Sequence, residues 1–226
     1  MDEKIDIIIL CGGKGERLQP ITNDIPKPLL KIRGKPILSY IIDHLGNYNL
    51  DNLIITTGYK SNAIHNYINE TYHNSTYKIV DSGDVDIIKR VQDSLKFVYN
   101  DFMILYGDTI SNVNLNELIE YHKNHTEPVT MTVWPLRSQF GIVDVSDNGE
   151  VLSFQEKPIL DKWINIGYFY FNNSMIEKIK KYNKYEILLK NLANEKYLNA
   201  YKHNGIHITV NTIKELEEAE KSIIEI

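Results

Sequence analysis

Glycine and positive charge concentrate in one short segment near the beginning of the sequence. Gly12, Gly13 and Gly15 follow an apolar run, and Lys14 and Arg17 lie among and just after them. Glycines let backbone amides approach phosphate oxygens closely, and consecutive amides form a concave anion site. Arg17 can bind phosphate through its planar guanidinium. These residue types therefore predict a phosphate-binding loop.

Lys27 adds a third cation to this segment. Pro26 and Pro28 flank it, and a proline on each side restricts the backbone, so the amine is presented from a stiff segment. From composition alone, an ordinary glycine turn with solvated charges remains an alternative.

Two standard phosphate motifs do not fit this loop. A dinucleotide fingerprint requires a third glycine where Leu18 stands, and a P-loop requires Ser or Thr where Gly15 follows Lys14. The loop therefore belongs to neither class.

Asp108 is a further candidate for chemistry. It follows Gly107 at the end of the apolar run 102–106. A carboxylate at the end of a buried strand, beside a phosphate loop, is suited to holding Mg²⁺. A Gly-Asp pair is also common in simple turns, and the two residues alone do not decide between these interpretations.

The spacing of apolar residues predicts the elements that position these groups. Short β-branched runs, several of them closed by glycine, indicate buried strands, and runs with helical spacing lie between them. The predicted strands are 5–10, 53–57, 77–80, 102–106 and 129–134, and the predicted helices are 38–45, 63–72, 87–95 and 115–125. The alternation predicts an α/β fold, a Rossmann-like and mostly parallel sheet flanked by helices, with ligands at the carboxyl ends of its strands.

The pattern changes after residue 134. Runs 141–145 and 151–155 flank Asp147-Asn148-Gly149, which is a strong hairpin signal. An alternating aromatic strand is predicted at 166–171, and amphipathic helices are predicted at 175–181 and 214–223.

Composition excludes several classes of protein. The net charge of −5 over 226 residues gives no bulk attraction to nucleic acid or anionic lipid. A single cysteine, Cys11, excludes an intramolecular disulfide and is expected to be a small filler rather than a nucleophile. No window reaches the apolar length of a membrane helix, and the first residues lack the features of a signal peptide, so a cytoplasmic location is expected.

The stretch GGKGERLQPITNDIPKPLLKIRGKPIL, residues 12–38, resembles the signature GGxGxRLxPxTxxxPKPxxxxxGKPxL of the sugar-1-phosphate nucleotidyltransferases. The resemblance implies that the glycine loop wraps a nucleoside triphosphate, that Arg17 orients its β- and γ-phosphates, and that Lys27 neutralises charge at the phosphoryl group under attack. The nucleotide-binding residues that it implies are Leu10, Cys11, Gly12, Gly13, Lys14, Gly15, Glu16, Ser82, Gly83, Lys89 and Gly107.

Later segments match the same family in order. FQEKP at 154–158 resembles the motif FxEKP, INIGY at 164–168 resembles the strand IN-x-G, and the Phe-Gly pair at 140–141 resembles a substrate loop. The implied residues for binding the phosphorylated acceptor are Gly141, Glu156, Lys157, Asn165 and Gly167.

Within the family, VDSGD at 80–84 followed by KRV at 89–91 resembles the stretch VDTGD…LKRV of glucose-1-phosphate cytidylyltransferases. This suggests CTP. The intervening loop is several residues shorter here, so UTP, dTTP or GTP stay open. A non-sugar acceptor such as phosphocholine also stays open, since the part after residue 171 is short.

The resemblance implies Mg²⁺ as cofactor, with Asp108 as a ligand. The family usually carries a second metal-binding Asp in a segment that here reads Val-Asn-Thr, so Asn211 takes that place. An amide oxygen can bind Mg²⁺ but brings no charge. This departure keeps open a rival interpretation, a nucleotide-binding regulatory protein without turnover.

We therefore predict one nucleotidyltransferase domain over residues 1–226, with a nucleotide-binding part at 1–134 and an acceptor-binding part at 135–226. Its expected partners are a nucleoside triphosphate and a phosphorylated small molecule, without nucleic acid or membrane. Edge strands and 15 tyrosines are compatible with homo-oligomer formation.

Overall fold

Strands and helices alternate along most of the chain, and a computed structural model describes residues 4–73 and 76–223. The strands are β1 (Asp6–Leu10), β2 (Lys31–Ile32), β3 (Lys35–Pro36), β4 (Leu53–Thr57), β5 (Tyr77–Asp81), β6 (Phe102–Tyr106), β7 (Thr109–Ser111), β8 (Val129–Arg137), β9 (Ile142–Val145), β10 (Val151–Gln155), β11 (Ile159–Phe171), β12 (Leu198–Lys202) and β13 (His207–Thr209). The α-helices are α1 (Ile37–Leu45), α2 (Ser61–Thr71), α3 (Ile87–Ser94), α4 (Leu115–Lys123), α5 (Ile176–Ile179), α6 (Tyr185–Asn194) and α7 (Ile213–Ser222).

The central sheet has seven strands in the order β12-β8-β11-β6-β1-β4-β5. β1 pairs in parallel with β4 and β6, and β4 pairs in parallel with β5. β11 is antiparallel to both of its neighbours, β6 and β8. The predicted α/β class with a mostly parallel sheet is confirmed. Strands from both predicted parts of the chain contribute to this one sheet.

Both faces of the sheet are buried, which explains the uninterrupted apolar run of β1. Ile7 and Ile9 pack on one face among residues of α1, α2, α4 and α7, while Ile8 packs on the other face among residues of α3, α5 and α6. A strand covered on both sides has no polar positions to alternate with.

Helix α7 begins with a complete capping box. Glu215 N donates to Thr212 Oγ1, and the carboxylate of Glu215 accepts from Thr212 N and, at 2.6 Å, from Asn211 N. These bonds satisfy amides that the helix itself cannot pair, so they fix the backbone of Asn211.

The predicted hairpin is present as the separate two-stranded sheet of β9 and β10, with Gly149 at φ 83° in its turn. Its apolar side chains are largely open to solvent, among them Val145, Val151, Leu152 and Phe154. The predicted association into homo-oligomers stays a prediction.

Some elements differ from the sequence-based expectation. The helix predicted at 175–181 is regular only over the four residues of α5, because turns flank it on both sides. Helix α6 and strands β2, β3, β7, β12 and β13 were not predicted. Helix α6 carries a readable signal in its buried Tyr185, Leu188 and Leu192, which recur at helical spacing.

None of the described helices is long and apolar enough to cross a membrane. The predicted cytoplasmic location rests in part on residues 1–3, which lie outside the described residues, and it stays a prediction. The division into parts at residues 134 and 135 also stays a prediction.

Three buried or half-buried histidines lead us to expect that acid destabilises the fold. Burial lowers the pKa values of His122, His203 and His207, and a nearby His203 helps to bring the pKa of His207 to about 4. An unfolded histidine titrates near 6.5, so between about pH 6.5 and 4 the unfolded chain binds more protons than the native chain. The free energy of unfolding should therefore fall as the pH falls through this window.

Urea unfolding at several pH values between 7.5 and 5 tests this expectation. The His207→Gln variant should lose less stability on acidification than the wild type, because it removes one of the titrating groups. The exposed His125→Gln variant is the matched control. Equal losses in the wild type and in His207→Gln would contradict the assignment.

Candidate active site

A cleft of about 540 Å³ opens at the carboxyl ends of β1 and β6. Its lining consists of Leu10 at the end of β1, residues 11–18 of the following loop, and Lys27, Pro28, Asp84, Ile87, Arg90, Tyr106, Gly107, Asp108 and Asn211. The structure thus brings together the predicted glycine loop, both predicted catalytic cations and both predicted metal ligands. A volume of this size is typical of small-molecule sites.

The Lys27 ammonium donates hydrogen bonds to two other side chains of the cleft. Lys27 is 8% exposed, and its Nζ donates to Asp108 Oδ2 at 2.5 Å and to Asn211 Oδ1 at 2.9 Å. Arg17 Nη2 donates to the same Asn211 oxygen at 2.8 Å. Two cations, one carboxylate and one amide oxygen therefore converge on a single point at the end of the glycine loop.

Strand pairing explains how such distant residues meet. β1 and β6 are parallel neighbours with Leu10 opposite Tyr106, so the glycine loop and Asp108 leave the sheet side by side. β7 pairs with β13 directly after Asp108, with Thr109 opposite Thr209. This pairing brings the segment after Thr209, and with it Asn211, next to Asp108.

The glycines of the loop are required for different reasons. Gly15 lies in the left-handed region with φ 65°, and its carbonyl accepts from Thr22 Oγ1 at 3.0 Å. A Cβ at Gly12 would lie 2.2 Å from Arg90 Nε, whereas a Cβ at Gly13 would meet nothing within 4 Å. A methyl group at Gly12 would therefore force the buried Arg90 side chain to shift, whereas Gly13 leaves the cleft open.

Cys11 serves as packing beneath the loop. It is buried, and a Cβ at Gly107 would lie 2.5 Å from its Sγ. Burial raises the pKa of the Cys11 thiol, with the charge of Asp108 adding to the effect. A thiol held in its neutral form is a poor nucleophile.

Arg90 and Asp84 also line the cleft. Burial lowers the pKa of Arg90, and the charges of Asp84 and Asp86 oppose this. Lys14 Nζ lies 2.7 Å from Asp84 Oδ2, so the rim of the cleft carries an ion pair that is open to solvent.

Three of the predicted nucleotide-binding residues lie outside the lining. Gly83, at φ 70°, is near it because its carbonyl accepts a 3.4 Å bond from Arg90 Nη2. Ser82 donates its backbone amide to Thr57 O. Lys89 is ion-paired with Asp93 on the surface of α3. Their contacts with a nucleotide stay predictions.

The predicted acceptor residues form two groups, and none of them is among the residues that line the cleft. A Cβ at Gly141 would lie 3.2 Å from Glu156 Oε2, so these residues are adjacent. Lys157 is exposed next to them, with φ in the left-handed region at 47°. The other group is Asn165 and Gly167, described next.

Gly167, one of the predicted acceptor residues, packs against a residue that lines the cleft. Its amide donates to Asn165 Oδ1 at 2.8 Å, and it lies at φ 80°. A Cβ there would lie 2.4 Å from Tyr106 Cγ, and Tyr106 lines the cleft. Only glycine allows β11 to approach this closely.

The donor set fits Mg²⁺. Within residues 4–73 and 76–223, no cluster of three or more His, Cys, Asp or Glu side chains could hold a metal ion. Asp108 and Asn211 nevertheless direct one oxygen each at the same nitrogen, Lys27 Nζ. One or two protein oxygens, completed by phosphate and water, are the usual set for Mg²⁺ at a phosphate site.

The family model described as nucleotidyl transferase matches residues 6–212. The chain belongs to this family. The resemblance to sugar-1-phosphate nucleotidyltransferases inferred from the sequence is thereby confirmed, and the chain is an enzyme of the nucleotidyltransferase class.

Several relatives resemble this nucleotidyl transferase along most of its length. A Bacillus subtilis (strain 168) protein, named a probable glucose-1-phosphate cytidylyltransferase, is 33% identical over 95% of this chain and 94% of its own length. The Salmonella typhi glucose-1-phosphate cytidylyltransferase is 31% identical over 92% and 91%. A Synechocystis UTP–glucose-1-phosphate uridylyltransferase is 28% identical over 80% of this chain and 52% of its own length.

Solved structures share the fold at lower identity. A UDP-glucose pyrophosphorylase complexed with UDP-glucose superposes with a TM-score of 0.75 at 16% identity, over 98% of this chain and 99% of that one. HddC from Yersinia pseudotuberculosis gives a TM-score of 0.75 at 22% identity, over 97% and 99%. These likenesses support the fold.

Six lining residues of this transferase were not among the predicted site residues: Leu18, Pro28, Asp84, Ile87, Arg90 and Tyr106. Arg90 was within a recognised motif, but its neighbour Lys89 was selected instead. Adjacent helical residues point about 100° apart, so only the rotation of α3 decides which one faces the cleft.

The contrast between the first two glycines of the loop generates a prediction. Gly12→Ala should lower the melting temperature of the ligand-free protein by several degrees, because the new methyl group overpacks the buried Arg90. Gly13→Ala should leave that melting temperature unchanged, because its methyl group meets no protein atom.

Thermal unfolding with and without Mg²⁺ and the nucleoside triphosphate that stabilises the wild type most separates the two effects. Gly13→Ala should lose most of that stabilisation, because its methyl group would project into the cleft from the predicted phosphate-binding loop. A full ligand-induced shift in Gly13→Ala would mean that the triphosphate does not lie on this loop.

Proposed function

We propose that this nucleotidyl transferase condenses CTP with a sugar 1-phosphate to give a CDP-sugar and pyrophosphate. The observation that carries the proposal is the convergence of Arg17, Lys27, Asp108 and Asn211 at the end of the glycine loop. Phosphoryl transfer depends on positioning and on neutralising charge, and this set of groups supplies both.

The choice of CTP is supported by the relatives. Two proteins named as glucose-1-phosphate cytidylyltransferases resemble the chain over more than nine-tenths of both lengths. The uridylyltransferase relative is matched over only 52% of its own length. The same chemistry with UTP or dTTP is the alternative.

The proposed reaction is a direct in-line displacement. An oxygen of the sugar 1-phosphate attacks the α-phosphorus of the triphosphate, and the bond from that phosphorus to the bridging oxygen of the leaving pyrophosphate breaks. A phosphate monoester is a nucleophile at neutral pH, so the protein need not remove a proton. Lys27 neutralises charge on the α-phosphoryl group, and Arg17 orients the β- and γ-phosphates.

Asp108 and Asn211 would hold Mg²⁺ in this scheme. When bound, the ion supplies neutralising charge to the phosphate oxygens. Asp108 brings one negative charge and Asn211 brings none, so the protein contribution to metal binding is modest.

Lys157 is the proposed cation for the phosphate of the acceptor. It lies in the left-handed region, which is uncommon for a residue with a side chain, and such strain is often retained at functional sites. It is adjacent to Glu156, which we expect to accept hydrogen bonds from sugar hydroxyl groups.

Asn211→Asp tests the metal assignment. The added carboxylate should lower the half-saturating Mg²⁺ concentration by roughly tenfold, because ligand charge sets the affinity of such sites. The exposed Asn116→Asp on α4 makes the same charge change away from the cleft and should titrate like the wild type. If the activity of Asn211→Asp has the same half-saturating Mg²⁺ concentration as the wild type, a role of Asn211 in metal binding is contradicted.

Lys157→Ala tests the acceptor assignment. Removal of one charge-assisted hydrogen bond should raise the KM for the sugar 1-phosphate by roughly tenfold or more and leave the KM for CTP unchanged. Lys162→Ala, an exposed cation on β11, is the matched control. A rise in the KM for CTP alone would place Lys157 at the nucleotide instead.

Pyrophosphate release tests the function as a whole. The wild-type enzyme with Mg²⁺ should release pyrophosphate fastest from CTP when glucose 1-phosphate or another sugar 1-phosphate is present, and slowly with phosphocholine. Faster release from UTP or dTTP would overturn the choice of CTP. CTP binding without release across a broad panel of acceptors would overturn the proposed function.

A further inference from the structure

Arg90 lies beneath the glycine loop, where three loops meet. It is 6% exposed, and a Cβ at Gly12 would lie 2.2 Å from its Nε. A Cβ at Gly58 would lie 2.3 Å from Gly83 O and 3.2 Å from Arg90 Nη2. The loops after β1, β4 and β5 therefore all pass over this one guanidinium, and the contact with a backbone oxygen requires glycine at position 58.

The guanidinium is poorly paired for a group so deeply buried. Within the described part of the chain, its Nε has no hydrogen-bond partner, and its Nη2 makes only a 3.4 Å bond to Gly83 O. The two carboxylates near it are engaged elsewhere, since Asp84 pairs with Lys14 and Asp86 caps α3. Burying hydrogen-bond donors without partners lowers the stability of the fold, so a group that is kept in this state indicates a function.

The residues that line the cleft include two chemically different sets. Lys27 and the groups bonded to it suit phosphates. Arg90 lines the cleft as well, and so does Ile87, whose side chain is partly exposed. A flat apolar face with a polar edge is the character of a nucleobase, and an apolar side chain beside a donor complements it.

We propose that Arg90 selects the base, by donating hydrogen bonds from its Nη atoms to the edge of cytosine. This rests on the proposed function for the identity of the nucleotide. Arginine can only donate. Cytosine presents two adjacent acceptors, O2 and N3, to such a fork. Uracil and thymine carry a hydrogen on N3, which would oppose a donor, so Arg90 distinguishes CTP from UTP and dTTP.

The test compares equilibrium binding of CTP, UTP and inorganic triphosphate, each with Mg²⁺, by calorimetry. The proteins are the wild type, Arg90→Gln, Arg90→Lys and the control Lys96→Gln, which removes an exposed cation beyond α3. Inorganic triphosphate has no base, so it separates recognition of the base from support of the phosphate loop.

The wild type and Lys96→Gln should prefer CTP over UTP. Arg90→Gln should bind CTP roughly tenfold to hundredfold more weakly, the range for hydrogen bonds to a charged group, and its preference for CTP should disappear. Its affinity for inorganic triphosphate should not change. Arg90→Lys keeps the charge without the fork and should lose most of the preference as well.

Several results would overturn the inference. Equal losses of affinity for CTP and inorganic triphosphate would show that Arg90 supports the glycine loop rather than selecting the base. Failure of both Arg90 variants to fold would show the same. A wild-type preference for UTP, or an unchanged preference in Arg90→Gln, would exclude base selection. The binding test contains no acceptor, so it does not depend on turnover. If CTP binding depends on Arg90 but the protein releases no pyrophosphate, the proposed function is refuted and this inference stands.

Discussion

The contacts of the Lys27 ammonium are the constraint on which this site depends. Its Nζ bonds Asp108 and Asn211, and Arg17 bonds the same oxygen of Asn211. A buried ammonium that lacked partners would cost several kcal/mol, so the surrounding chain must deliver both oxygens. These contacts hold the cations in place, and in the proposed reaction a triphosphate would offer the same cations more highly charged partners.

The fold meets this constraint through strand order rather than through local sequence. β1 and β6 are adjacent, so the glycine loop and Asp108 emerge together, and β13 pairs with β7 to return Asn211 to the same place. The capping box of α7 then fixes the backbone of Asn211. A core on both faces makes the framework stiff, and stiff support is what positional catalysis requires.

The sequence was sufficient to predict the strands of the parallel sheet, because runs such as β1 and β6 are short, continuous and apolar. It was also sufficient to predict the glycine loop, because the signature at 12–38 matches at many closely spaced positions. The rest depended on long-range pairing. Nothing near β13 reveals that it pairs with β7 almost a hundred residues earlier. Likewise, the KR pair at 89–90 does not reveal which side chain faces the cleft. The structure turns Arg90 inward beneath Gly12 and leaves Lys89 paired with Asp93 on the surface.

The most direct test of the account is the turnover number of Lys27→Ala with CTP, Mg²⁺ and a sugar 1-phosphate. The account predicts a loss of roughly 10²-fold or more, the scale for removing one key electrostatic donor. The exposed Lys31→Ala, four residues away, should turn over like the wild type. Wild-type turnover in Lys27→Ala would contradict the central role given to this ammonium.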